Sequence, residues 1–316
     1  MARHPAAPGE PGITGDRVGD GGTGIGARSV GRRALLAGAA GAVLALPLAP
    51  RATSPARAET TGVGQAEGPA AYLARFQAYQ AIDPARADHF GPVEDAVAAE
   101  TNRRRGEAGA GQLETDPTLG WIARFYGHIL STTDLFDHAD EQGRSPDQRI
   151  GILHRRHAGP SGENLFRTDI LLLTRPGDMG AFAVDSLMDS PGHRANILEP
   201  HWTHGGIGVV SDGSTVTVVQ LFARRDLLLA EDLPITVSAG SALPQAGRFD
   251  TGSAERVGLV PLGQAPSLAD LSPPGRARVP ARAGVLRLQA ALRTGSEGRS
   301  ISYELVTGPI VEVVAG

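Results

Sequence analysis

The sequence has no cysteine and no lysine. Without cysteine there is no disulfide to staple a small scaffold and no thiol nucleophile, so the fold must be held by its hydrophobic core. All 30 basic residues are therefore arginine, and with 42 glycines and 23 prolines this reads as the coding bias of a GC-rich genome, not as function. Long hydrophobic runs are missing as well: the apolar stretch 34–49 is too short for a comfortable membrane span. No internal repeat occurs. Ser161 and Ser190 each have a histidine nearby in sequence, but no G-x-S-x-G is present to place a serine on a strained turn.

What is there is the balance of a soluble globular protein, with 41% hydrophobic and 20% charged residues in a chain of 316, room for two modest domains after a leader. The leader is expected over residues 1–58. Arg32-Arg33 precedes the weakly hydrophobic run, and Ala56-Arg57-Ala58 is a small-x-small cleavage site, the pattern of a twin-arginine signal peptide. No lipidation cysteine follows, so the expected product is exported and released to the periplasm or medium, with no stable membrane span once the signal is removed. Removing 1–58 takes away 7 arginines and 3 acids and leaves 23 arginines against 31 acids, a net charge of −8. Nucleic acid is thus not an expected partner.

Residues 59–90 read as a polar linker with a short helix at 70–81. Three longer helices follow from apolar residues at helical spacing: 92–105 with Val93 and Val97, one capped by Asp116 and Pro117 with Leu119, Ile122, Tyr126 and Ile129, and 178–189 with Met179, Phe182, Ala183 and Leu187. Pro146 starts a shorter one with Ile150 and Leu153 inward. "GENLF" at 162–166 reads as a short strand. "GGIGVV" and "TVTVVQLFA" form a hairpin through Asp212-Gly213, and the second strand, apolar on both faces, should be central. Beyond residue 224 the runs 235–237, 257–260, 285–292, 301–306 and 310–314 are short and β-like, which predicts a small all-β domain at 231–316.

His193, in "SPGHRANIL" at 190–198, falls at the third position of a helix with Ser190 as N-cap and Pro191 first. The positive potential there favours a neutral imidazole, able to accept a proton, take a hydrogen bond or ligate a metal. Two other stretches join it in chain order, "FDHAD" at 136–140 and "SGENL" at 161–165, so that His138, Glu163 and His193 are 25 and 30 residues apart. That spacing is no local metal motif. His154 and His157, in "HRRH", are expected on a solvated basic turn, and Arg103 to Arg105 end a helix where cations suit the dipole.

The three stretches in this order resemble the CAP superfamily, the cysteine-rich secretory, antigen 5 and pathogenesis-related 1 proteins, in its bacterial SCP-like branch. "ETNRRRGEAGAGQLETDPTLGWIA", "GRSPDQRI" and "HWTHGGIGVV" extend the resemblance over 93–223. It implies an α/β (α+β) fold, a CAP-type α-β-α sandwich at 91–225 ahead of the C-terminal all-β domain, with a cleft lined by two histidines and two acidic residues. Carried over, these are His138, His193 and Glu163. At the fourth position the chain has Ser190 with Asp189 beside it, so the second carboxylate departs from the pattern, and His201 and His204 stand where relatives often show acidic or polar residues. Asp140, Asn164 and Asn196, in the same motifs, are expected to support the three.

Three expectations about function stay open on the sequence. The first is a non-enzymatic binder of a small apolar, envelope-derived or macromolecular ligand, such as a lipid or glycan, at the cleft. In it His138, Glu163 and His193 are a satisfied polar cluster. The second is a divalent-metal-dependent hydrolase in which those three residues hold a cation such as zinc, with bound water as nucleophile. The third is adhesion or docking through the C-terminal domain. No oligomeric state is expected in preference to another.

Overall fold

Helix starts lie where the side chains can cap them. In the computed structural model, which describes residues 66–81, 91–169, 175–265, 267–297 and 300–316, Asp116 accepts from the N–H groups of Thr118 and Leu119 and opens α3 (Pro117–Thr132). Ser145 and Gln148 form a reciprocal capping box at α4 (Pro146–Leu153). Proline also begins α1 (Pro69–Gln80), α5 (Pro176–Asp189) and α6 (Pro191–Leu198), while α2 spans Gly91–Glu107. The expected leader lies outside the described residues. Among the described residues no helix is long and apolar enough to cross a membrane.

The first sheet has the order β1-β4-β5-β3, with β1 at Glu114–Thr115, β3 at Ser161–Asp169, β4 at His204–Ser211 and β5 at Thr215–Ala223. β5 is central, and Val216 to Ala223 are all buried, as the two-faced apolar run predicts. One face is covered by α3, whose Ile122, Phe125 and Tyr126 pack with Val219 and Leu221. The other carries α2 and α5, with Val97, Ala183 and Leu187 against Val209, Val218 and Phe222. This is the expected α-β-α sandwich. Helix and strand approach closely only because β4 has glycines: a Cβ at Gly206 would lie 2.3 Å from the Leu119 carbonyl carbon, and one at Gly208 2.2 Å from the Arg124 nitrogen.

Two further sheets are present, a small one, β2-β6-β8 (His157–Ala158, Leu227–Leu229, Phe249–Thr251), and a larger one built after β5, β7-β11-β10-β9 (Thr236–Ser238, Ser300–Val314, Gly284–Glu297, Arg256–Pro261). Three expectations need correction. β3 runs nine residues and not five, because its polar half still pairs with β5 up to Asp169↔Thr215. The runs 301–306 and 310–314 are one strand, since a register shift between Arg287 and Gln289 on β10 accommodates Gly308-Pro309. His154 and His157 are buried, not solvated, because β2 pairs with β6 and carries the turn inward. All described residues fall within one compact unit, Val63–Gly316.

Candidate functional site

Glu163 lies on β3, the edge strand of the first sheet, and its side chain is 1% exposed. Each carboxylate oxygen has a partner. His138 Nδ1 is 2.9 Å from Oε1, and an Arg149 guanidinium nitrogen donates to Oε2 at 2.6 Å. Arg149, on α4, is equally buried, and donates to the carbonyls of His138 at 2.6 Å and Arg144 at 2.9 Å. Its guanidinium carbon stands 3.5 Å from the centre of the Tyr126 ring on α3. One arginine thus neutralises the buried carboxylate and holds the main chain of the segment that carries His138. Arg149 was not singled out in the sequence, yet it lies four residues before Leu153, on the inward face of α4, where an arginine needs an anionic or carbonyl partner.

His138 is half exposed, its Nδ1 turned to Glu163. The hydrogen bond to Glu163 raises its pKa, against partial desolvation. His193, on the first turn of α6, is shifted the other way, by burial first and by the charge of nearby His138 second. Ser190 is the N-cap residue of α6, but its side chain makes no cap hydrogen bond. The α6 backbone is instead tied to β3 by amides. Asn164 Nδ2 donates to the His193 carbonyl at 3.2 Å and to Gln220 Oε1 at 3.1 Å, while Asn196 Nδ2 donates to the Glu163 carbonyl at 3.1 Å and Asn164 Oδ1 at 3.0 Å.

Asp140 is buried below this assembly. It accepts from the N–H groups of Gln142 and Arg144, both at 2.9 Å, and from Arg144 Nε at 2.7 Å, so it folds the 137–145 loop. Asp189 is exposed at the end of α5. The structure therefore brings together His138, Glu163, Asn164, His193 and Asn196, and leaves Asp140 and Asp189 outside the polar cluster.

As a metal site the donor set is short. Among the described residues no three His, Cys, Asp or Glu side chains form a group that could hold an ion. A cation on Glu163 Oε2 would meet the Arg149 guanidinium already bound there. The residues as placed fit an ion-paired His-Glu-Arg cluster, not a three-ligand centre.

A second polar cluster lies under the start of α3. Asp116 Oδ2 is 3.1 Å from His154 Nε2 and pairs with Arg225, while the His157 N–H donates to His154 Nδ1 at 3.2 Å. His157 Nε2 is buried and unpartnered, and burial pushes this imidazole down to about 3.

Comparison with known proteins finds a family match for the part of the chain that carries these residues. Residues 98–222 match the model of CAP, the cysteine-rich secretory protein family. The uncharacterized protein YkwD of Bacillus subtilis (strain 168) is 32% identical over 127 residues, 39% of this chain and 45% of that protein, so the chain spans less than half the length of the curated relative it matches. Among solved structures, an outer surface protein from Borrelia burgdorferi is similar at 19% identity and a TM-score of 0.37, over 44% of this chain and 98% of that one. An extracellular protein containing a SCP domain from Bacillus anthracis str. Ames is similar at 20% identity and a TM-score of 0.34, over 42% and 40%. Residues 98–222 of this chain are a CAP domain of the cysteine-rich secretory protein family.

Proposed function

We propose that the chain is an exported CAP-domain protein that binds a small apolar or envelope-derived ligand, or a macromolecule bearing one, at the cleft beside β3, without turning it over. The observation that carries this reading is the state of Glu163. It is buried and bonded through both oxygens, so it is placed to hold His138 and Arg149 and not to take a proton from a substrate or to ligate a cation through Oε2. The same strand edge offers apolar contact on both sides. Phe136 is 45% exposed under the Arg167 guanidinium, and Phe182 is 41% exposed against the Phe166 ring. Export rests on the Arg32-Arg33 pair and the apolar run behind it.

The test is organic extraction and mass spectrometry of protein isolated from its producing cells without detergent, followed by rebinding of the extract. Lipid, sterol, glycan or envelope material held above background, and lost in Phe136→Ala, Phe182→Ala, is the expected result. No bound material from any fraction overturns the reading. About one divalent ion per chain, lost together with a hydrolytic activity in His138→Ala, His193→Ala, would replace it with the metal-dependent hydrolase.

A further inference from the structure

On the sheet edge opposite β3, β4 runs on past its short partner. β1 pairs with it only at Glu114↔His204 and Thr115↔Gly205, and no other strand among the described residues lies on that side. Two hydrogen bonds show which way the β4 backbone faces there. The Gly205 carbonyl accepts from the Asp116 N–H at 2.9 Å, and the Val209 N–H donates to Glu94 Oε1 at 3.1 Å. Ile207 lies midway between them, so the two-residue period of a strand points its N–H and C=O out of the same edge. Ile207 is among the residues that line a cavity of about 250 Å³ between α2 and α3.

Part of the wall of this cavity is apolar, from Ala98, Leu113, Trp121 and Phe222. Its deeper polar groups are already matched. Glu94 holds Arg124, Asn102 bonds the Leu113 N–H and C=O at 2.8 and 3.1 Å, and Thr101 accepts from Gln220 at 2.9 Å. The charge that remains is negative. Four carboxylates line the cavity, Glu94, Asp95, Glu114 and Asp116, against one guanidinium, Arg124, which Glu94 engages. Asp116 is paired with Arg225, whereas Asp95 and Glu114 are exposed at the mouth, the latter 3.6 Å from His204.

We infer that this edge cavity binds a small primary amine with an apolar body, its ammonium drawn to the acidic mouth and its alkyl or aryl part against Leu113 and Trp121. A carboxylate ligand would enter a negative field with the single guanidinium already engaged. A peptide strand fits this edge less well, because Glu94 caps the Val209 N–H and so removes the ladder donor next to the Ile207 pair. The site is separate from the cleft at β3 and goes beyond the binding proposed there.

The probe is 2-phenylethylammonium, titrated into the full chain and followed by amide and indole chemical shifts. Phenylacetate and 2-phenylethanol, with the same ring but negative or no charge, are the comparators. The expected result is saturable shifts at Gly205 to Gly208 and the Trp121 indole, with a Kd on the order of 1 mM for so small a ligand. Asp95→Asn, Glu114→Gln should weaken it about tenfold, and Ala98→Leu should abolish it while the spectrum stays dispersed. His138→Ala, His193→Ala should bind like the parent. Phenylacetate or the alcohol binding as well as the amine, shifts centred elsewhere, indifference to both cavity variants, or no saturation by roughly 10 mM would each overturn the assignment.

Discussion

The two partners of Glu163 differ in kind: Arg149 is buried and fixed, whereas His138 is half exposed and titratable. Arg149→Met leaves a buried carboxylate with one partner and frees the His138 carbonyl, so we expect a loss of about 3–5 kcal/mol in urea unfolding. Arg149→Met combined with Glu163→Leu should recover much of it, because an apolar pair of similar volume needs no compensation. The histidines respond to pH in opposite directions. The folded-state pKa of His138 is raised, so the stability it contributes is present below its ordinary value and is lost as pH rises through the raised one. His157 is pushed down to about 3 by burial, then by His154 and Arg225, with Asp116 opposing. The unfolded chain therefore takes up a proton that the native state refuses, and stability falls as pH drops from the ordinary histidine value toward 3, with a slope approaching about 1.4 kcal/mol per pH unit. Denaturant midpoints at neutral and mildly acid pH should show a smaller acid loss in His157→Phe than in the parent. Equal losses would mean that His157 is not the group refusing the proton.

At the scale of elements, α4 joins the sandwich to the C-terminal strands. Its outer end is clamped by Arg287 of β10, which pairs with the Asp147 carboxylate and donates to the Asp147 carbonyl at 3.1 Å. Beyond its C-terminus Arg155 donates to five main-chain carbonyls, those of Gly151, Ile152, Leu233, Pro234 and Ile310, and burial pushes its pKa down to about 10. Arg155→Met should cost about 3 kcal/mol, since several buried acceptors lose their donor together, and hydrogen exchange should quicken first in α4 and at Leu233. The helix itself was legible, from Pro146 at its start and Ile150 and Leu153 inward. Its arginine network was not, because a guanidinium acquires buried carbonyl acceptors only when distant strands arrive. The two-faced apolar run of β5 announced a central strand for the opposite reason: burial on both faces is written in each of its residues.

Taken whole, Ile310 of β11 packs into the same apolar cluster as Ile122, Phe125 and Ile150 of the CAP domain, and His157-Ala158 pairs with Leu227-Leu228. We therefore expect residues 66–316 to unfold in one cooperative transition, with calorimetric and van't Hoff enthalpies equal, and a fragment ending at 225 to lose that cooperativity. Two separable transitions would show instead that the strands beyond 231 fold independently. The sequence by itself determined the helices, the central hairpin, the absence of covalent staples and the three motifs that carry His138, Glu163 and His193, because capping, turn chemistry and hydrophobic period act over a few residues. Only the tertiary structure decided that Arg149 occupies the second oxygen of Glu163, that His154 and His157 are buried, and that β4 keeps an open edge over an acidic-mouthed cavity. Each of these depends on groups brought together from far along the chain, and local periodicity carries no information about such partners.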